Sequence, residues 1–179
     1  IEPSRGLGDV YKRQRYISAT HSICEDIEKR RILLENLQDE ENKDGDHPKL
    51  WKNFAKALGA DEKEIEKVKL DWFTKDMIDN FFSQARKSYA EGLASLYTYE
   101  RQIPEIAETK IQGLKKFYGV SSKEGLEFFE AHKSADVIHR AECEKLLDSL
   151  SKEEQEKAET ASLLTCLLYT SDAADESTC

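Results

Sequence analysis

Little in this chain can build a disulfide scaffold, a membrane span or a β-sheet. Its four cysteines are Cys24, Cys143, Cys166 and Cys179, with no CxxC and no paired spacing. They offer no disulfide or zinc framework and suit a reducing compartment, so a cytoplasmic location is expected. The most apolar stretch, LLTCLLY at 163–169, is far too short to cross a bilayer. There are only three prolines and eight glycines, and no alternating β-branched run or hairpin signature marks a strand. Internal repeats, heptad runs and low-complexity tracts are also missing. Basic charge is scarce: 27 Lys and Arg face 36 Asp and Glu, a net charge of −9. An acidic chain without a basic patch argues against nucleic acid as the main partner, and neither nucleic acid nor membrane is expected as one.

The two ends read differently from the middle. Residues 4–14, SRGLGDVYKRQ, back-translate to a stretch containing AGATGTGTATAAGAGACAG. Residues 166–176, CLLYTSDAADE, back-translate with the last base of the Thr165 codon to CTGTCTCTTATACACATCT, the reverse complement of the first stretch. Two complementary strands at opposite ends resemble a translated sequencing adaptor, so residues 1–14 and 166–179 are set aside from functional reasoning. The remaining domain, 15–165, is expected to lack its native start and end. It carries 24 basic and 31 acidic residues, a net charge of −7. About 150 residues suffice for one domain with a real core.

The pattern predicts an all-α chain, with helices over 17–42, 47–58, 62–68, 74–101, 104–118, 122–148 and 151–165. Breaks are open near Ser88–Tyr89 and near Ala131. Ser121 or Ser122 should cap the sixth helix with support from Glu124, and Pro104 suits the first turn of the fifth. Amphipathic faces are read at Ile23, Ile27 and Leu34, at Phe81, Phe82 and Ala85, and at Leu93, Leu96 and Ile103.

Four histidines are present: His21, His47, His132 and His139. In "FFEAHKSADVIHRAE", His132, Asp136 and His139 fall within an arc of about 60° on an ideal helix. Imidazole and carboxylate are common ligands for first-row metals, and a bundle site needs such groups projecting inward from several helices. An isolated motif of this kind is more often a solvated polar face. Two further segments weigh against that. "LQDEENKDGDHPKLW" holds Glu40 and His47 seven residues apart; Gly45 and Pro48 interrupt a continuous helix, which places His47 at a junction. "ASLYTYERQIP" puts Glu100 after a strongly apolar face, and a buried carboxylate is costly unless paired, hydrogen-bonded or metal-bound. Its non-metal explanation is an ion pair with Arg86 or Arg101. Tyr97 and Tyr99 lie beside it as packed aromatics, with a hydrogen-bonding or relay role open for Tyr99. His21 reads as a surface or half-buried helix residue. Together Glu40, His47, Glu100, His132, Asp136 and His139 form an inventory for two metal ions.

The order E-x6-H, then YERQIP, then H-x3-D-x2-H resembles the haem-oxygenase-like di-metal oxidases, most closely the CADD family, also labelled PqqC-like. The likeness runs over essentially all of 15–165, including DEEN…HPKLW, LYTYERQIPEIAETKIQGL and FFEAHKSADVIHRAE. It implies a haem-oxygenase-like helical bundle, truncated here at the N-terminus and at the C-terminus. It implies an oxidoreductase whose cofactors are two first-row transition-metal ions, Fe/Fe or Fe/Mn, with dioxygen as co-substrate and a reductant. It also implies a part in making para-aminobenzoate for folate by oxidative cleavage of one of the protein's own tyrosines. Lys110 stands where the family's proposed amino-group donor would be. The sacrificed tyrosine lies upstream of the first ligand, at a position that Tyr16 does not occupy, so the complete reaction is not expected of this chain alone. Two other readings stay open. One is a metal-free TenA-like or PqqC-type enzyme, which would need neither six ligands nor this spacing. The other is a helical protein-interaction module. A homodimer and a protein partner are both left open.

Overall fold

The structure, a computed structural model, describes residues 12–176 apart from 44, 45, 68, 70 and 71, with only the backbone of residues 73 and 169–176. Gly45, and residues 1–11 and 177–179 of the two ends set aside above, lie outside the described residues. Among those described, every regular element is a helix: α1 (Arg13–Ile23), α2 (Ile27–Glu40), α3 (His47–Ala57), α4 (Glu62–Lys67), α5 (Trp72–Lys87), α6 (Tyr89–Glu100), α7 (Ile103–Phe117), α8 (Lys123–Asp148) and α9 (Lys152–Glu176).

Local chemistry explains the boundaries. Asp26 accepts from the backbone N–H groups of Glu28 and Lys29 at 2.8 and 3.2 Å, a capping arrangement that starts a new helix. The single helix expected over 17–42 is therefore two. The break resets the helical phase, so Ile23, Ile27 and Leu34 are exposed, and Leu33, Asn36 and Glu40 face inward instead. Ser88 caps α6 through Glu91 N–H at 3.2 Å, at the break left open there. Ser122 caps α8 through Gly125 N–H at 3.1 Å, and α8 runs unbroken past Ala131 to Asp148. Asp46 caps α3 through Lys49 N–H at 2.7 Å. Pro104 lies in the first turn of α7. Gly119, at φ +67°, ends α7 in a left-handed conformation that glycine adopts without steric cost.

Helix α8 is the axis of the molecule. Helices α3 and α7 pack on its N-terminal half, α6 and α2 on the rest, while α9 lies along α6 and α5. One apolar cluster joins Trp51 and Phe54 of α3, Ile111 and Leu114 of α7, and Phe128 and Phe129 of α8. A second joins Tyr16 and Ile17 of α1, Phe81 and Ala85 of α5, Leu93 and Leu96 of α6, and Cys143 and Leu146 of α8. Between them, α8 carries His132, Asp136 and His139, all buried. No described helix is long and apolar enough to cross a membrane.

Helices α1, α5 and α6 meet closely at Gly92. A Cβ built there would sit 2.7 Å from Thr20 Oγ1 and 2.9 Å from the Ala85 Cα. The backbone atom cannot yield as a side chain would. Gly92→Ala is expected to destabilise the fold by about 1–3 kcal/mol, the cost typical of overpacking, measured as a lowered urea midpoint with an unchanged slope. An unaltered midpoint would show that α5 moves away without penalty.

Candidate metal centre

Glu40 ends α2, His47 opens α3, Glu100 ends α6, and His132, Asp136 and His139 share the inner face of α8. All six side chains are buried, with Glu100 and Asp136 fully enclosed. The solvated-face explanation of the α8 motif is thereby excluded. Ligand atoms of Glu40, His47 and His132 lie within 4.8 Å of one another, as do those of Glu100, Asp136 and His139. The six residues therefore fall into two triads, each containing carboxylate and imidazole, and α8 contributes to both.

Hydrogen bonds orient the imidazoles. His132 Nδ1 donates to the Phe128 carbonyl at 2.8 Å, which leaves Nε2 as the acceptor nitrogen for the triad. His47 Nδ1 lies 2.8 Å from Glu40 Oε2, and its ring is 4.2 Å, centroid to centroid, from that of His132. His139 Nε2 is 3.0 Å from Asp39 Oδ2, and its Nδ1 is 3.5 Å from Asp136 Oδ1. A carboxylate behind a ligating imidazole fixes ring orientation and raises basicity, the position Asp39 takes. Asn36 Nδ2 donates to Glu100 Oε1 at 3.0 Å, and Cys143 Sγ lies 3.6 Å from Glu100 Oε2.

The guanidinium of Arg13 lies between the triads. Arg13 Nη2 is 2.8 Å from Glu100 Oε1 and 3.0 Å from Asp136 Oδ1, and Nη1 is 3.2 Å from Glu40 Oε1. The ion-pair partner of Glu100 is thus neither Arg86 nor Arg101. Arg13 also lies over the ring of Tyr99, 5.5 Å from its centroid; Tyr99 itself is a half-buried aromatic set edge-on against Phe81.

The protonation states follow. Burial, then the neighbouring His47, pushes His132 down to about 4, so its imidazole is neutral at pH 7. Burial opposes charge on His139, but Asp136, Glu100 and Asp39 outweigh it and raise its pKa to about 9. Burial would raise Asp136; the Arg13 guanidinium overcomes it and holds the carboxyl well below the usual range. At Glu100 burial prevails over the same guanidinium, reinforced by the charge of Asp136, and the pKa rises. Arg13 is thus shared among Glu40, Asp136 and Glu100, with Glu40 its largest charge partner, and at Glu100 it does not outweigh burial.

The donor set fits cations. Glu40 Oε1, Asp136 Oδ2 and His139 Nδ1 are buried without a hydrogen-bond partner among the described residues. Such atoms are costly when nothing engages them, and three of them converge here. Mixed nitrogen and oxygen donors suit iron, manganese or zinc.

Lys110 is exposed on α7 and makes no part of either triad. His21 is half-buried near the end of α1, outside both. Tyr16 is buried in the second core cluster and stacks on Phe81 at 4.6 Å. Arg13, Asn36, Asp39 and Cys143 were not singled out from the sequence. Asn36 and Asp39 carry a usable signal, since they precede Glu40 by four residues and one residue on the same helix. Arg13 had been set aside with the adaptor-like segment.

Residues 8–169 match the model of a family described as iron-containing redox enzymes. The chain is 42% identical over 149 residues to a 4-aminobenzoate synthase of Chlamydia trachomatis, covering 83% of this chain and 64% of that protein. A 4-aminobenzoate synthase of Chlamydia muridarum is 41% identical over 149 residues, 83% of this chain and 63% of its own length. The protein of the same name from Nitrosomonas europaea is 36% identical over 185 aligned positions, 96% of this chain and 75% of that one. The chain therefore spans less than two thirds of the length of its chlamydial relatives. With a match over nearly all of the helical domain, and with the resemblance drawn from the E-x6-H and H-x3-D-x2-H spacing pointing the same way, this chain belongs to the family of iron-containing redox enzymes.

Proposed function

We propose that this chain is the metal-binding part of an oxygen-dependent di-metal oxidase acting in 4-aminobenzoate synthesis. The observation that carries the reading is the pair of buried triads meeting across α8. Glu40, His47 and His132 would hold one ion, and Glu100, Asp136 and His139 the other. Bound there, two first-row ions, Fe/Fe or Fe/Mn, would supply redox chemistry toward dioxygen, with an external reductant. The protein's own work is separate from that chemistry. The Phe128 carbonyl holds His132 in one tautomer, and Asp39 orients His139. Asn36 steadies Glu100. Trp51, Phe54, Phe128 and Phe129 pack beside the first triad and keep water from it.

The relatives' name, 4-aminobenzoate synthase, supports 4-aminobenzoate as the product. The proposed nitrogen donor is Lys110, a role that rests on the family resemblance. Its exposed position on α7 separates it from the ligand set, so the two functions should come apart by mutation. Lys110→Met is expected to keep wild-type metal content and lose nearly all 4-aminobenzoate formation when tested in the full-length protein. Undiminished product in that variant would remove Lys110 from the reaction.

The reading as a whole is tested by elemental analysis of the folded chain after loading with iron and manganese. About two ions per chain is the expected result, since each triad offers three donors. A well-folded chain that retains no metal would overturn it.

A further inference from the structure

The wall of rings beside the first triad contains one residue that water exclusion does not require. Trp51 lies one turn along α3 from His47, as Phe128 lies one turn before His132 on α8. The two pairs meet ring on ring. Centroids are 4.2 Å apart for His47 and His132, 4.2 Å for Phe128 and His132, and 4.9 Å for Trp51 and Phe128. Trp51 is thus joined to His132 through a single intervening ring. Phe54 continues the stack on α3, 5.0 Å from Trp51.

Packing alone does not favour an indole in that place. Trp51 Nε1–H is buried with no acceptor among the described residues, although a buried tryptophan usually finds one. An unpartnered buried donor is destabilising, and phenylalanine would keep water out without it. What the indole adds is redox chemistry. Tryptophan gives up one electron far more readily than phenylalanine, and every other buried member of this cluster is aliphatic or phenyl. Because no acceptor faces Nε1, the oxidised ring keeps its proton. The electron therefore moves alone and is returned without rearrangement.

We propose that Trp51 is a one-electron relay for the first triad, a ring through which electrons pass between that site and a donor in solution. The proposal rests on the di-metal reading of the two triads. In one cycle Trp51 releases an electron through Phe128 toward oxidised ions held by Glu40, His47 and His132, and becomes a cation radical. It then takes an electron from the external reductant that the reading already requires. One electron enters for each that leaves, and no bond forms or breaks.

The test uses the chain loaded with iron and oxidised in air. Reduced methyl viologen, a one-electron donor, is mixed in without oxygen, and the loss of its colour is followed by stopped flow. Trp51→Phe keeps an aromatic ring in the stack. It should hold as much iron as the wild type and take up electrons at least about ten times more slowly. A purely structural role would move the urea midpoint and leave the uptake rate alone. Trp72→Phe, at an exposed position on α5, is the control and should match the wild type. A second readout needs no change at position 51. The iron(II)-loaded wild type is exposed to dioxygen without reductant and mapped by mass spectrometry. The electron given up by Trp51 is then not replaced, and the oxidised ring captures oxygen from dioxygen. Oxygenated Trp51 should exceed oxygenated Trp72, although Trp72 is the exposed one of the two tryptophans.

Equal electron uptake by Trp51→Phe and the wild type, at equal iron content, would overturn the relay and leave the di-metal reading standing. A folded wild type that binds no iron would overturn both. If Trp51→Phe fails to fold, the wild-type mapping decides: oxygen at Trp51 supports the relay, and its absence there refutes it.

Discussion

Asp136→Ala should reduce bound metal from about two ions per chain to about one or none, with far-UV circular dichroism nearly unchanged. Asp136 is the one carboxylate on the α8 face, fully buried, and it stands between Arg13 and His139. Its removal deletes a candidate ligand from the second triad. Losing an outer-shell partner alone typically costs about 10–100-fold in metal affinity, and losing a direct ligand should cost more. The helix itself should persist, because alanine favours helix over aspartate and α8 is anchored by both core clusters. Asp148→Ala, exposed at the end of the same helix, is the control and should bind as the wild type does. Full metal content in Asp136→Ala would remove this residue from the ligand set.

The second large effect concerns the support of the site. Phe81→Ala is expected to destabilise the fold by about 3–5 kcal/mol, the range for deleting a buried aromatic. Phe81 stacks on Tyr16 at 4.6 Å and meets Tyr99 edge-on at 5.9 Å. It therefore ties α5 to α1 and α6, the helices that carry Arg13 and Glu100. Against a total stability of about 5–15 kcal/mol for a typical domain, such a loss would unfold much of the population on modest warming. Urea denaturation of the metal-free chain measures it. A loss under about 1 kcal/mol would mean that Tyr16 and Tyr99 collapse into the cavity, as well-relaxing sites do.

The six candidate ligand positions were legible because their order and spacing were. Three share one helical face, so periodicity alone brings His132, Asp136 and His139 together. Glu40, His47 and Glu100 were picked out from their own segments, as a Glu and a junction His seven residues apart and as a carboxylate after an apolar face; that the end of α2, the start of α3 and the end of α6 meet is shown by no local pattern. Helix existence was likewise readable from hydrophobic period. The α1–α2 break was not, because Asp26 acts through a backbone hydrogen bond that competes with an otherwise helical stretch. That one cap overturned the face assigned to Ile23, Ile27 and Leu34. The pairing of residues into two triads, and the choice of Arg13 over Arg86 and Arg101 as the counterion of Glu100, depend on tertiary packing that spacing does not encode.

Because α8 gives His132 to one triad and Asp136 with His139 to the other, the spacing of the two triads along that helix is held by a ruler. Its graduations are backbone hydrogen bonds, with a rise of about 1.5 Å per residue. From His132 to Asp136 that is about 6 Å along the axis, a length no side-chain exchange can alter. Substitutions around the cage would change how strongly each centre grips, while the gauge between them stays fixed. Substitutions on the surrounding helices leave that spacing as it is, whereas adding or removing a single residue within this span of α8 does not. One extra residue would turn everything beyond it by about 100°, and the two centres would no longer share a face.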